Sequence, residues 1–261
     1  MRLPRFLRRS GGRRDAGPVR HVSVSRTHVG RVRSINEDRV LERPEAGLWA
    51  VIDGMGGHSA GDVAAEATLC ALATLADGGT PSPDAVVATL TDINRRLHEA
   101  GQLAGHVRGA TIVALLLSGD HYTIFWVGDC RAYRQRGGAL DLLTRDHSVV
   151  QELVDAGQLT ARQAANHPRA NVVTRALGAA GQVAVEVVRG RVEAGDHLLL
   201  CSDGMNRALA DPPSRGAWRQ ELAGMADHLL GVALDKDGSD NASLVLIGCH
   251  GGEKGGVPLF R

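Results

Sequence analysis

The stretch Val51-Ile52-Asp53-Gly54-Met55-Gly56-Gly57 sets the strongest limit on the fold. An aliphatic run reads as the end of a buried strand, and a lone carboxylate at such an end costs at least several kcal/mol of desolvation unless something compensates its charge. The same pattern recurs at Phe125-Trp126-Val127-Gly128-Asp129, at Leu198-Leu199-Leu200-Cys201-Ser202-Asp203, and, just before a strand begins, at Asp240. Asn36-Glu37-Asp38 adds two further acids. Any one of these has a plain explanation, because Asp is common in turns and at strand ends. Taken together they share a pattern that lets folding of the sheets bring several carboxylates to one rim, where repulsion either raises the carboxyl pKa values or calls for cations.

Short strand-like runs dominate the chain, at 21–25, 47–53, 111–117, 121–128, 131–136, 183–189, 196–202 and 243–249. Ser118-Gly119-Asp120 supplies turn residues between two of them, which favours antiparallel pairing. Helical segments are grouped rather than alternating with strands. Residues 60–76 are Ala-rich, and 84–100 carry Val86, Leu90, Ile93 and Leu97 at helical spacing behind a Ser82 cap with Pro83 in first position. Trp218, Leu222, Met225, Leu229 and Val232 form a third stripe, of the kind that packs a core. Residues 146–180 read as an insert holding two short helices, because Ser148 with Gln151 and Thr160 with Gln163 fit capping boxes and Gly157 can end the first. This pattern predicts an α+β domain over 21–250 rather than a parallel doubly wound sheet.

Composition narrows the class. At 261 residues and 43% apolar the chain can bury a large core, and no stretch approaches the roughly 20 apolar residues of a bilayer span. Residues 1–20 hold seven Arg against one Asp without the apolar run of a secretory signal, so they read as a disordered basic arm, with contact to acidic lipid or nucleic acid as the alternative. Residues 251–261 read as a flexible tail. Cys70, Cys130, Cys201 and Cys249 are far apart with no CxxC pair, which reads as reduced core or near-core thiols in a cytoplasmic protein. The histidines show no HxH or HxxxH spacing, which argues against a histidine zinc site. Hard oxygen ligands point to Mg²⁺ or Mn²⁺, and their wide spacing excludes an EF-hand. The glycines after Asp53 are not a P-loop, because no Lys-Ser/Thr follows, nor a Rossmann fingerprint. Gly54 lets its own carbonyl come close enough to join a metal shell, and Gly56 and Gly57 allow a tight exit into the next helix.

Eight blocks in order resemble the metal-dependent Ser/Thr protein phosphatases of the PPM, or type 2C, class in its compact bacterial form. They are GRVRSINED (30–38), AVIDGMGGH (50–58), GATIVALL (109–116), VGDCRAY (127–133), TRDHSVVQELVDAG (144–157), NVVTRALG (171–178), DHLLLCSDGM (196–205) and SDNASLVLI (239–247). The resemblance implies a four-layer αββα sandwich, two antiparallel sheets face to face with helices outside. It implies two Mg²⁺ or Mn²⁺ ions, with Asp53 bridging them, the Gly54 carbonyl on one, and Asp203 and Asp240 completing the other. Glu37 and Asp38 would act near the metals, and Asp129 with Asp203 would hold a weaker third ion. Arg33 would grip the substrate phosphate, and Asn241 belongs to the same motif without a defined role.

The implied reaction is hydrolysis of phospho-Ser and phospho-Thr in proteins by a metal-bridging hydroxide, with no phosphoenzyme and therefore no nucleophilic Ser or Cys. The implied partners are phosphoproteins, including a Ser/Thr kinase, for a monomeric enzyme that needs no nucleic acid. The 146–180 insert corresponds to the family's flap. Met55 stands where eukaryotic relatives carry a His proposed as general acid, so leaving-group protonation would fall to metal-bound water, with His58 as a minor candidate. The sequence after Asp203, Met205-Asn206-Arg207, departs from the family pattern and leaves Arg207 without a role. The competing reading is a catalytically silent phosphatase-like domain that binds phosphoproteins or a regulatory partner.

Overall fold

A computed structural model describes residues 17–56, 60–210, 218 and 220–252. In chain order the elements are β1 (Gly17–His28), β2 (Asp38–Arg43), β3 (Leu48–Met55), α1 (Ala60–Asp77), α2 (Pro83–Ala104), β4 (Gly109–Ser118), β5 (His121–Val127), β6 (Arg131–Arg136) and β7 (Ala139–Leu142). They continue with α3 (Val149–Asp155), α4 (Ala161–Ala164), β8 (Glu186–Arg191), β9 (His197–Cys201), a 3₁₀ turn (Asp203–Met205), α5 (Asn206–Leu209), α6 (Leu222–Lys236) and β10 (Ala242–Gly252). Two five-stranded sheets form, in the orders β1-β10-β9-β6-β7 and β2-β3-β4-β5-β8, and every pairing within them is antiparallel.

The layers follow from strand periodicity acting on runs that are apolar on both faces. In β3, Leu48, Ala50 and Ile52 turn outward and pack with Ala64, Leu72, Leu90 and Ile93 of α1 and α2. Trp49 and Val51 turn inward and meet Leu198, Leu200, Val245 and Ile247 of the facing sheet. On the far side Leu199, Leu244 and Leu246 pack with Met225, Ala226 and Leu229 of α6. The result is an α-β-β-α sandwich with three buried seams, as the resemblance implied.

Several local expectations hold. Ser82 accepts from the Ala85 amide with Pro83 in the first turn, and Ser118 pairs with His121 across a turn in which Gly119 takes φ 61°. The Thr160 capping box is complete, but at Ser148 only half of it forms, because the Gln151 side chain donates to Asp155 Oδ1 instead. Other boundaries move. β1 starts at Gly17, inside the segment read as an arm, and β10 runs to Gly252, inside the expected tail; residues 1–16 and 253–261 lie outside the described residues. The ladder of β8 begins at Glu186, opposite Trp126, whereas Val183 and Val185 pack on the core without joining it. Trp218 precedes α6 rather than belonging to its stripe, although it is buried in the same seam.

Two strands were not anticipated. β2 reads Asp-Arg-Val-Leu-Glu-Arg and β7 Ala-Leu-Asp-Leu, and both lie at sheet edges, where one side needs no ladder partner and charged residues are favoured. Cys70 is also corrected: it lies exposed on α1, while Cys130, Cys201 and Cys249 are buried, and all four are free. Arg207 pairs with Asp237 at 2.7 Å, tying α5 to the end of α6. Among the described residues no helix is long and apolar enough to cross a membrane.

Candidate metal and phosphate site

Register places the acids. Asp53 near the end of β3 stands opposite Asp38 at the start of β2 and opposite Thr111 near the start of β4. In the other sheet Cys201, the last residue of β9, stands opposite Leu244 near the start of β10 and opposite Arg131 at the start of β6. Asp203, Asp240 and Asp129 are therefore a residue or two beyond ladder ends that share one edge. Asp129 sits where the chain leaves β5 in one sheet and enters β6 in the other, so it joins the two rims.

Burial and like-charge repulsion act together on the acids of this rim. Burial pushes Asp53 well above the ordinary carboxylate range, and Asp38, Asp203, Asp129 and Asp240 push it further. Asp203 is raised well above that range by burial, then by Asp129, Asp240 and Asp38. Asp38 is pushed up to about 6, chiefly by burial, against the opposing bonds of Ser243 and Ser202. Asp129 is pushed up to about 7 by burial and by Asp146, with Arg131 and Thr111 opposing.

Among the described residues no three Asp, Glu, His or Cys side chains stand close enough to form a closed metal cage. The contacts that neutralise the rim come instead from protein donors. Arg33 Nη2 donates to Asp240 Oδ2 at 2.8 Å, and Ser202 Oγ donates to Asp38 Oδ2 at 2.7 Å. Asp38 Oδ1, however, is buried with no hydrogen-bond partner. A buried carboxylate oxygen without a donor, within a set of acids that raise one another's pKa, is the chemistry a hard divalent cation satisfies. The donor set fits such an ion.

The glycines have a backbone role. A Cβ on Gly61 would lie 2.6 Å from the Gly54 carbonyl carbon and 2.7 Å from Glu37 Oε1, so the start of α1 presses directly on the Asp53-Gly54 segment. The Gly54 amide donates to the Glu37 carbonyl at 3.2 Å, which fixes Glu37 beside it. Gly56 takes φ 144°, in keeping with a tight exit from β3. Gly57 and His58 lie outside the described residues, so the reading of each lies there too.

Sequence reasoning left Asn241 without a role, and here it clamps the arginine-bearing loop. Its buried amide donates to Val29 O at 2.8 Å and Ile35 O at 2.9 Å, and its Oδ1 accepts from the Glu37 amide at 2.8 Å. Both ends of the loop that carries Arg33 are thus held from one side chain. Also missed were Ser202, Thr111 and the Arg131–Asp146 pair, in which Arg131 Nη2 donates to Asp146 Oδ2 at 2.6 Å beside Asp129. Ser202 was the most legible of these, as it directly precedes Asp203. Burial raises the Cys130 thiol well above its ordinary value and pushes Cys201 up to about 12, which disfavours the thiolate form of both. A cavity of about 260 Å³ lined by His98, His106 and Val107, among others, contains none of these acids.

The sequence model of the family described as Protein phosphatase 2C matches residues 27–237. This chain belongs to that family. It is similar to the serine/threonine protein phosphatase PstP of Mycobacterium tuberculosis, 36% identical over 231 residues, which cover 85% of this chain and 44% of the relative. This chain therefore spans less than half the length of that phosphatase. Against the serine/threonine phosphatase stp of Listeria monocytogenes the identity is 33% over 238 residues, covering 85% of this chain and 93% of the relative. Among solved structures, the catalytic domain of the serine threonine protein phosphatase PstP in complex with two manganese ions superposes with a TM-score of 0.74 at 32% identity, covering 89% of this chain and 99% of that one. The phosphatase 2C sandwich thus accounts for both sheets and for the rim on which the acids gather.

Proposed function

We propose that this chain is a serine/threonine protein phosphatase that hydrolyses phosphoserine and phosphothreonine in proteins, using divalent ions held at the shared rim. The observation that carries this reading is the convergence of Asp53, Asp129, Asp203 and Asp240 from four separate strand ends, beside Arg33. Asp53, the Gly54 carbonyl, Asp203 and Asp240 would hold two ions, Mn²⁺ or Mg²⁺, with Glu37 and Asp38 beside them and Asp129 available to a third. When bound, such ions lower the pKa of water and neutralise phosphoryl oxygens.

The protein's own part is positioning. Arg33, 53% exposed and planar, has donors to spare beyond its bond to Asp240 and can engage a phosphate dianion in bidentate fashion. Asn241 holds the loop that presents it. Met55, at the end of β3, offers no proton, so the chain supplies no evident general acid at that position. The flap base beside Asp129 gives substrates a surface to read, and phosphoproteins, including an opposing kinase, are the proposed partners. Four free thiols, three of them buried, support a reducing, cytoplasmic setting.

The test is hydrolysis of a phosphothreonine peptide with and without Mn²⁺, for wild type and Asp203→Asn in parallel. Mn²⁺-dependent turnover that the substitution abolishes is expected. Mn²⁺ binding without turnover on several peptides would instead make this a binding domain.

A further inference from the structure

Beside the acid rim, the base of the 146–180 flap is zipped to the turn that carries Asp129, and one side chain stands at the junction. His147 holds Gly128 at two points: its amide donates to Gly128 O at 2.9 Å, and its Nδ1 accepts from the Gly128 amide at 3.0 Å. Its ring stacks on Trp126, with centroids 6.2 Å apart and planes 16° from parallel, and Trp126 Nε1 donates to Arg145 O at 2.9 Å. From the flap's returning segment the Thr174 amide donates to His147 O at 2.8 Å, and Ser148 pairs with Val173. Only glycine fits at position 128, since the backbone takes φ 107° and a Cβ there would collide with the Thr111 side chain.

The ring's other nitrogen meets a second donor. Arg175 Nη1 lies 3.3 Å from His147 Nε2, and it also reaches Glu186 Oε1 at 3.1 Å and Ala184 O at 3.4 Å. A guanidinium donates and cannot accept, and a backbone amide likewise only donates. A neutral imidazole accepts at one nitrogen only, because the other carries its proton. Burial, and then Arg175, keep His147 below its ordinary pKa, which favours that neutral ring. The two contacts are therefore mutually exclusive. With the proton on Nε2, Nδ1 accepts from Gly128 and Arg175 turns to Glu186 and Ala184. With the proton on Nδ1, Nε2 accepts from Arg175 and the Gly128 amide faces another N–H.

We propose that His147 is a positioning residue with two states, coupling the flap's returning segment at Arg175 to the Gly128-Asp129 turn through the choice of ring nitrogen that carries the proton. Arg175 engaged on Glu186 leaves the turn held at both points; Arg175 engaged on His147 leaves it held by the His147 amide alone. The coupling matters for catalysis only through the reading of Asp129 as a site acid, on which it rests. Flap position and the geometry of Asp129 then change together, although no flap residue needs to touch a metal.

The direct test is ¹⁵N NMR of the His147 ring in the full chain, without substrate, in Mg²⁺-free buffer and with Mg²⁺. Wild type is expected to show averaging between the two tautomers with an exchange-broadened Gly128 amide, and Arg175→Ala a single Nε2–H tautomer with a sharp Gly128 amide. His147→Asn, whose Oδ1 keeps an acceptor near the position of Nδ1 but offers Arg175 nothing, is expected to match Arg175→Ala. Both should tighten the weakest Mg²⁺ binding step by about fivefold, the worth of one neutral hydrogen bond, and His147→Ala should weaken it. The same tautomer in wild type and Arg175→Ala with an unmoved Gly128 amide, or equal Mg²⁺ binding by His147→Asn and His147→Ala, would overturn the proposal. Arg175 is a partly exposed surface side chain, so its variant folds even if a ring substitution does not. Peptide hydrolysis run alongside separates the two readings: a tautomer shift in a chain without turnover leaves the coupling standing and removes the phosphatase.

Discussion

Metal-free protein should lose stability as pH rises through the range in which most proteins gain it. Asp38 is held at about 6 and Asp129 at about 7, against an ordinary 3.8. At about 1.4 kcal/mol per pH unit these correspond to roughly 3 and roughly 4 kcal/mol taken singly, less than their sum together because the acids are coupled. A carboxyl whose folded pKa is raised binds its proton more tightly in the native state. Its contribution is therefore complete below pH 3.8 and is lost as pH climbs through about 6 for Asp38 and about 7 for Asp129. Asp155 and Asp227, which Arg145 and Arg26 hold low, titrate below this window. His21, His147 and His197, lowered by burial, contribute the opposite slope, so the measurement has to be a difference. Urea unfolding at pH steps from 4 to 7.5, with EDTA and with saturating Mg²⁺, provides it, since the histidines contribute equally to both arms. The gap between the arms should widen by several kcal/mol across the window. Parallel curves would show that the carboxylates do not share a rim, and the site reading would fall with them.

Other substitutions separate the parts of the site. Asn241→Ala removes three bonds to the Arg33 loop and should cost about 2–3 kcal/mol, read as a thermal midpoint lower by roughly 5–10 °C; an unchanged midpoint would remove the clamp. Arg33→Ala should leave the midpoint nearly unmoved, because its pair with Asp240 is half exposed, yet lower kcat/KM for a phosphopeptide by roughly 10- to 100-fold. Gly61→Ala drives a methyl into the Gly54 carbonyl and should destabilise by about 1–3 kcal/mol while raising the Mn²⁺ needed for half-maximal turnover; normal activation would show that the Gly54 carbonyl is not a ligand.

The clearest strands in the sequence are those buried on both faces, such as β3 and β4, whose unbroken apolar runs admit no other use, and the edge strands β1 and β8 were found through their Val residues. The strands that sequence reasoning missed, β2 and β7, are edge elements whose charges suit a one-sided ladder. The site divides in a similar way. Asp53, Asp129, Asp203 and Asp240 were legible because each interrupts an apolar run at its end, where a bare charge needs a reason. Asn241 was not, since its three partners lie 204 to 212 positions away in the chain and no local pattern marks a side chain whose work is done on a distant loop. Cys70 misled for a related reason, because an apolar neighbourhood along a helix says nothing of which face a residue takes.

By itself the sequence determined the α+β class, the chemical hardness of the ligand set and the identity of the acids, which follow from local periodicity and residue chemistry, while the four-layer architecture came from the resemblance of its ordered blocks to a known family. Tertiary structure alone decided that Asp38 stands opposite Asp53, that Arg33 rests on Asp240, and that His147 faces two donors with one lone pair to offer. Those are facts of register and loop closure, set by hydrogen-bond ladders between segments far apart in the chain, and they exist only once the two sheets have closed on each other.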